Sequence, residues 1–149
     1  MDKMPPLEKI YEAYSALADG RVSMGGESAV VASSNGAKTY TVRWRGAEYQ
    51  SNDSATYWQG YAGYPVIAVL MLQGRLPYDR SAAAPLADID WTELNKRHKR
   101  DYAAAAAEVL SALKDRGVDV AAIAKSADEA YRSLESLDVT LLRGHGKRA

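Results

Sequence analysis

Residues 65–72 form the longest unbroken apolar run in the chain, Pro-Val-Ile-Ala-Val-Leu-Met-Leu. Proline is well tolerated in the first turn of a helix, where its missing N–H needs no partner, and Gly74 suits the end of a helix. Eight residues are far too few to span a bilayer, so a helix that is apolar on all sides must lie inside the protein. A buried strand is the alternative, because Val66, Ile67 and Val69 are β-branched. The flanking proline and glycine favour a buried central helix.

Composition restricts the class of protein further. A chain of 149 residues can bury a core of its own, and its 19 basic and 19 acidic side chains cancel, which argues against a polyanion as the main partner. The absence of cysteine excludes disulfides and thiolate chemistry and fits a reducing compartment. The polar N-terminal residues do not resemble a signal peptide, and no stretch reaches transmembrane length. We therefore expect a cytoplasmic protein that is not bound to a membrane.

The region before the apolar run predicts one helix and a small sheet. After Pro6, apolar residues recur every three or four positions, which predicts an amphipathic helix ending near Gly20. The polar side of this helix carries Glu8, Lys9, Glu12 and Ser15. Three β-prone runs follow at residues 27–33, 38–45 and 47–51, separated by Asn35-Gly36 and Gly46, which suit tight turns. They predict a three-stranded antiparallel meander with its aromatic face covered by the central helix.

The region after the apolar run predicts a helical hairpin. Asp90 is placed to cap a helix that runs to Arg116, and residues 118–137 predict a second helix. Five alanines, Ala103–Ala107, allow another helix to approach closely, so this helix is the predicted contact of a homodimer. The apolar patch at 139–142 can dock on its own chain or on a partner. The whole reads as one α+β domain over residues 1–142 with a flexible basic tail at 143–149.

An aromatic cluster is the first candidate site. The chain has ten tyrosines, three tryptophans and no phenylalanine, so each of its aromatic side chains carries a polar group. Four of them occupy a glycine-rich elbow before the central helix: Tyr57, Trp58, Tyr61 and Tyr64. His98 lies on the apolar stripe of the predicted long helix, with Asp101 three residues on as a group that could orient it. These residues suggest a small-molecule carrier or an enzyme, and core packing is the alternative.

A basic run at residues 96–100 is the second candidate site. Arg97, Lys99 and Arg100, together with the basic tail, would form a phosphate-binding ridge on a nucleic-acid-binding protein. On a continuous helix these cations also fit an ordinary solvated face.

The sequence contains no recognisable catalytic motif, no compact cluster with metal-ligand spacing and no phosphate-binding glycine motif. We therefore expect a non-catalytic binding or assembly module, without metal or cofactor, that forms a homodimer or binds another protein. Nucleic-acid binding and a small-molecule carrier or enzyme are the alternatives.

Overall fold

The computed structural model describes residues 1–142, which adopt an α+β fold. The α-helices are α1 (Glu8–Ala18), α2 (Tyr64–Leu72), α3 (Arg80–Ala83), α4 (Trp91–Arg97), α5 (Tyr102–Asp115) and α6 (Val120–Ser136). The strands are β1 (Val22–Met24), β2 (Ser28–Ala32), β3 (Thr39–Arg45), β4 (Glu48–Ser51) and β5 (Thr140–Leu141). A π-helical turn (Ala55–Gln59) precedes α2, and a 3-10 turn (Ala84–Leu86) follows α3.

The apolar run forms the predicted central helix, α2. Its side chains from Val66 to Leu70 are 0% exposed. The helix packs against α1 and against strands β1, β3 and β4, so apolar neighbours surround it. Gly74 has a φ of +76°, a conformation that glycine adopts without strain, and it ends the helix as predicted.

The prediction of three strands was incomplete, because the sheet has five, in the order β1-β2-β3-β4-β5. Strands β2, β3 and β4 form the predicted antiparallel meander, and β1 extends it antiparallel to β2. Strand β5 pairs in parallel with β4, where the Thr140 amide donates to the Ala47 carbonyl at 2.9 Å. The apolar patch at 139–142 therefore docks on its own chain. Both missed strands are too short, at three and two residues, to show a periodic pattern.

The prediction of one helix from Asp90 to Arg116 was wrong, because α4 ends at Arg97 and α5 begins at Tyr102. Lys99 and Arg100 have φ values of +55° and +65°, which no residue inside a right-handed helix adopts. The Asp101 carboxylate then accepts a hydrogen bond from the Ala104 amide at 3.0 Å and caps α5. A second helix cap, Asp101, therefore lies within the stretch that was predicted to form one continuous helix.

The remaining helices pack around α1. Helix α5 contacts α1, α4 and α6, and α6 also contacts α3, which gives the expected C-terminal helical segments. Within residues 1–142, no helix combines the length and the apolar character needed to cross a bilayer. The predicted tail at 143–149 lies outside the described residues.

Candidate functional site

A cavity of about 150 Å³ lies beside the N-terminal end of α2. Its walls come from α1, the β2–β3 turn, β3, the segment before the π-helical turn, and α4. Two other depressions, of about 430 and 400 Å³, are larger. The smaller one is set apart by the burial of the charged side chains in its wall: Lys9, Glu12, Arg21 and Asp53. We call it the polar cavity.

Lys9 and Glu12 form a buried pair on α1, only 8% and 4% exposed. The Lys9 Nζ and Glu12 Oε2 atoms are 3.4 Å apart, and Nζ also lies 4.1 Å from the centre of the Tyr102 ring. Glu12 Oε2 accepts a second hydrogen bond, at 3.1 Å, from the Asn95 side-chain amide on α4. The polar side of α1 is therefore enclosed by later helices, which its own sequence does not show.

Arg21 follows α1 and is held at two of its three nitrogens. Its Nε donates to Asp19 Oδ2 at 3.1 Å, and its Nη1 donates to the Ala32 carbonyl at 2.7 Å. The guanidinium lies 6.0 Å from the centre of the Tyr64 ring. Burial raises the pKa of the Tyr64 hydroxyl, and the positive charge of Arg21 acts in the opposite direction. Tyr64 is thus a neutral hydroxyl at physiological pH.

Asp53 anchors the floor of the polar cavity. The residue is 4% exposed, and its carboxylate accepts hydrogen bonds from Ser51 Oγ, from the Thr56 amide at 3.0 Å and from Thr56 Oγ1 at 3.2 Å. Thr56 Oγ1 in turn accepts a hydrogen bond from the Gly63 amide at 3.0 Å. With its oxygens occupied in this way, Asp53 holds the π-helical turn against the start of α2.

Two buried polar atoms in the wall make no hydrogen bond to any described residue: Arg21 Nη2 and Asn95 Oδ1. Flipping the Asn95 amide would not help, because its nitrogen already donates to the Glu12 carboxylate. Buried polar groups in proteins are normally paired, and an unpaired one costs about 1–3 kcal/mol. Both atoms belong to side chains that line the polar cavity, although the atoms themselves have almost no accessible surface.

The predicted aromatic residues do not all line the polar cavity. Tyr64 lines the polar cavity, whereas Tyr57 and Trp58 pair with each other edge to face, 4.5 Å between ring centres, and Trp58 is 67% exposed. The Tyr61 ring lies 5.6 Å from the Lys3 ammonium group. His98 lies at the corner between α4 and α5, where its Nε2 is 2.8 Å from Glu108 Oε1. Of the five predicted ligand-binding residues, Tyr64 therefore belongs to the cavity wall.

The predicted basic ridge is divided by the break between α4 and α5. Arg97 donates to both carboxylate oxygens of Glu108, at 2.8 and 3.0 Å, and to Glu93 at 3.4 Å. Lys99 and Arg100 lie in the turn, outside either helix. Nucleic-acid binding through Arg97, Lys99 and Arg100 stays a prediction.

We expect the Glu108 corner to make stability depend on acid pH. Hydrogen bonds from Arg97 and His98 lower the pKa of Glu108 from 4.5 to about 2. A carboxylate with a lowered pKa stabilises the fold above its ordinary pKa, and the contribution is lost as the pH falls through the lowered value. Glu108→Gln should therefore lower the urea midpoint at pH 7, and its difference from wild type should shrink between pH 4.5 and 2. A matched Glu129→Gln change at an exposed position on α6 should show no such convergence.

Part of the alanine run of α5 packs inside its own chain. Ala105 and Ala106 are buried, and α5 packs on α1. Ala103 and Ala107 remain exposed. The predicted homodimer through this helix is not decided by these contacts and stays a prediction.

Sequence reasoning missed Lys9, Glu12, Arg21, Asp53 and Asn95 as members of one site. Their positions span most of the chain, and each fits an ordinary surface or capping role when considered alone. Within residues 1–142, no group of three or more histidine or acidic side chains could hold a metal ion.

Residues 2–140 match a protein family described as "Uncharacterised conserved protein UCP014422". Neither the search of curated proteins nor the search of solved structures returned a match.

Proposed function

The chain belongs to this uncharacterised family, and from that premise we propose that it is a binding protein that holds a small polar molecule in the polar cavity. The observation that carries the proposal is a cavity wall that contains four largely buried charged side chains: Lys9, Glu12, Arg21 and Asp53. This develops the binding half of the expected binding or assembly role.

The cost of this arrangement supports a functional role. Buried ion pairs contribute little net stability, because removing two charges from water offsets most of their attraction. Lys9 and Glu12 could be replaced by apolar side chains of similar volume at little cost to folding. Local rules of folding are most often broken at functional sites, and this cluster breaks them.

Size restricts the ligand. Drug-sized ligands occupy pockets of about 300–1,000 Å³, whereas one water takes about 30 Å³ of liquid volume. The polar cavity, at about 150 Å³, has the room of about five waters. It suits a metabolite of a few heavy atoms rather than a nucleotide or a haem.

The arrangement favours binding over catalysis. Asp53, the most deeply hydrogen-bonded carboxylate, is occupied by Ser51 and Thr56, and Glu12 is occupied by Lys9 and Asn95. Groups held in this way orient a ligand well but are poorly placed to accept a proton from it.

The experiment is to release and identify the bound molecule. The protein is purified without denaturant, desalted and precipitated with acid, and the supernatant is examined by mass spectrometry. Ala55→Leu places a larger side chain in the cavity wall, and Ala121→Leu makes the same change at an exposed position on α6. We expect one small molecule from wild type and from Ala121→Leu, and its loss from Ala55→Leu. Equal release from all three would contradict the assignment to this cavity.

A further inference from the structure

We infer that helix α4 is a hinged lid on the polar cavity. It opens locally, while the rest of the domain stays folded, and so admits and releases the bound molecule. This inference rests on the proposed function and adds the route by which the molecule reaches its site.

The strained residues of the backbone flank α4 on both sides. Within residues 1–142, the non-glycine residues with a positive φ are Asp88 at +61°, shortly before α4, and Lys99 at +55° and Arg100 at +65°, shortly after it. Side chains other than glycine rarely adopt this conformation, and it persists only where the surrounding structure holds it. Strained residues of this kind cluster at ligand clamps and at segments that switch between two positions. Helix α4 is therefore a short rigid segment between two strained turns.

Hydrogen bonds hold both turns in the strained conformation. The Asp88 amide donates to Asp19 Oδ1 at 2.7 Å, which ties the turn before α4 to the end of α1. The Arg100 amide donates to the Asn95 carbonyl at 2.8 Å, which ties the turn after α4 to the helix itself. A change of a few backbone angles at two such turns moves the segment between them as one body, and lids in other proteins pivot in this way.

The face of α4 that carries Trp91, Thr92 and Asn95 lines the polar cavity. Polar contacts hold this face in place. Trp91 Nε1 donates to Ser15 Oγ at 2.7 Å, and the Asn95 side chain donates to a carboxylate on the same helix, α1. The Thr92 amide donates to Ser34 Oγ at 3.0 Å, in an exposed contact with the β2–β3 turn. Lifting α4 breaks these contacts and opens one wall of the cavity.

Little apolar burial holds α4 against the domain. Of its seven residues, only Trp91 and Leu94 are buried. Arg97 pairs with Glu108 of α5, but their side chains are 48% and 44% exposed, and exposed ion pairs contribute little to stability. A segment with few buried apolar side chains opens at a lower free energy than the core of the same domain. We therefore expect α4 to open far more often than the domain unfolds.

The test uses the absence of cysteine from the chain, because one introduced thiol then reports one position. Ser15→Cys places a thiol beneath Trp91, and Ala68→Cys places one in the middle of α2; both positions are 0% exposed. An aromatic disulfide reagent labels each variant in native buffer, and urea unfolding gives the free energy of unfolding of the same variant. The thiol at position 68 should react only as fast as global unfolding allows. The thiol at position 15 should react about tenfold faster than that limit, or more.

A thiol at position 15 that reacts no faster than global unfolding allows would overturn the inference, because α4 would then open only with the whole domain. Each rate is compared with the unfolding of the same variant, so a loss of stability caused by the substitution does not affect the result. Should Ser15→Cys not fold, Ser33→Cys repeats the measurement, since Ser33 is 4% exposed and lines the cavity beside the contact between Ser34 and Thr92.

Two further changes, made in the Ser15→Cys protein, assign the motion to α4. Ser34→Ala removes the contact with Thr92 and should speed labelling about threefold or more, whereas Ser23→Ala, at an exposed position on β1, should leave the rate unchanged. Asp88→Gly relieves the strain of the closed lid, because glycine adopts a positive φ freely, and should slow labelling about threefold or more. Unchanged rates in both Ser34→Ala and Asp88→Gly would place the moving segment elsewhere and overturn the inference.

The proposed function and the lid fail in different ways. If wild-type protein releases a small molecule but the thiol at position 15 reacts only by global unfolding, the lid is wrong and the proposed function stands. If the thiol at position 15 reacts locally but no molecule is released, the proposed function is overturned, and with it the role of the α4 motion in binding.

Discussion

Leu70→Ala should lower the free energy of unfolding by about 4 kcal/mol, the largest effect we expect from a single truncation. Leu70 is 0% exposed and lies in the middle of α2, which contacts both α1 and the sheet. Removing three carbons there loses their transfer free energy and leaves a cavity that neighbours from two layers cannot easily fill. Urea unfolding followed by tryptophan fluorescence measures the change.

The control for Leu70 is two residues away on the same helix. Leu72 is 43% exposed, and Leu72→Ala should cost less than about 1 kcal/mol. Both variants replace leucine by alanine in the same helix. The difference between their effects on the free energy of unfolding therefore reports how deeply each leucine is buried. A cost for Leu70→Ala below about 1.5 kcal/mol would mean that α2 is not at the centre of the core.

Gly63→Ala is the second large effect, with an expected loss of about 3 kcal/mol. A methyl group built at Gly63 would lie 2.0 Å from Asp53 Oδ2 and 3.2 Å from the Ala55 side chain. Either the Asp53 carboxylate or the start of α2 must move. Moving the carboxylate breaks its hydrogen bonds to Thr56 and Ser51, and Asp53 is only 4% exposed. The φ of Gly63 is −75°, so steric contact and not backbone strain is the cause.

Gly26→Ala provides the matched control, because a methyl group there has nothing within 4 Å. It should change stability by less than about 0.5 kcal/mol. A double-mutant cycle with Asp53→Ala isolates the clash: once the carboxylate is gone, the added cost of Gly63→Ala should fall by more than half. Costs that simply add would show that the Asp53 carboxylate is not what Gly63 accommodates.

Gly63 and Asp53 link the stability of the fold to the polar cavity. Gly63 and Asp53 both line the cavity, and the same hydrogen bonds that hold Asp53 also fix the turn that leads into α2. The site is therefore built on the most deeply buried helix of the fold, which holds its wall in place. We expect variants at Asp53 to lose ligand and stability together, whereas Asn95→Leu should affect mainly the ligand.

Local patterns predicted the parts of the fold that depend on neighbours in sequence. The apolar run with Pro65 and Gly74 is enough for α2, because a helix without a polar face has no stable place in water. The Asn35-Gly36 turn and the alternation around Val42 place β2 and β3 correctly for the same kind of reason. Asp90 caps α4 as predicted, since a cap depends on the three residues that follow it.

Contacts between distant segments decided the rest. Strand β5 has two residues and exists because β4 offers it hydrogen-bonding partners. The break between α4 and α5 lies where Lys99 and Arg100 take positive φ, although the apolar spacing continues across it from Leu94 to Tyr102. The spacing of apolar residues shows which face of a helix is apolar, but it does not show where the chain changes direction between two helices.

The polar cavity shows most clearly which features depend on local sequence and which depend on contacts between distant segments. The sequence by itself determined a buried α2, its neighbouring hairpins and the apolar stripe of α1. The tertiary structure alone decided that Lys9 and Glu12, on the polar side of α1, would be enclosed by α4 and α5 and line the same cavity as Arg21 and Asp53. The reason is physical: the hydrophobic pattern along a chain decides which residues avoid water, whereas the burial of a charge depends on which distant segments pack over it.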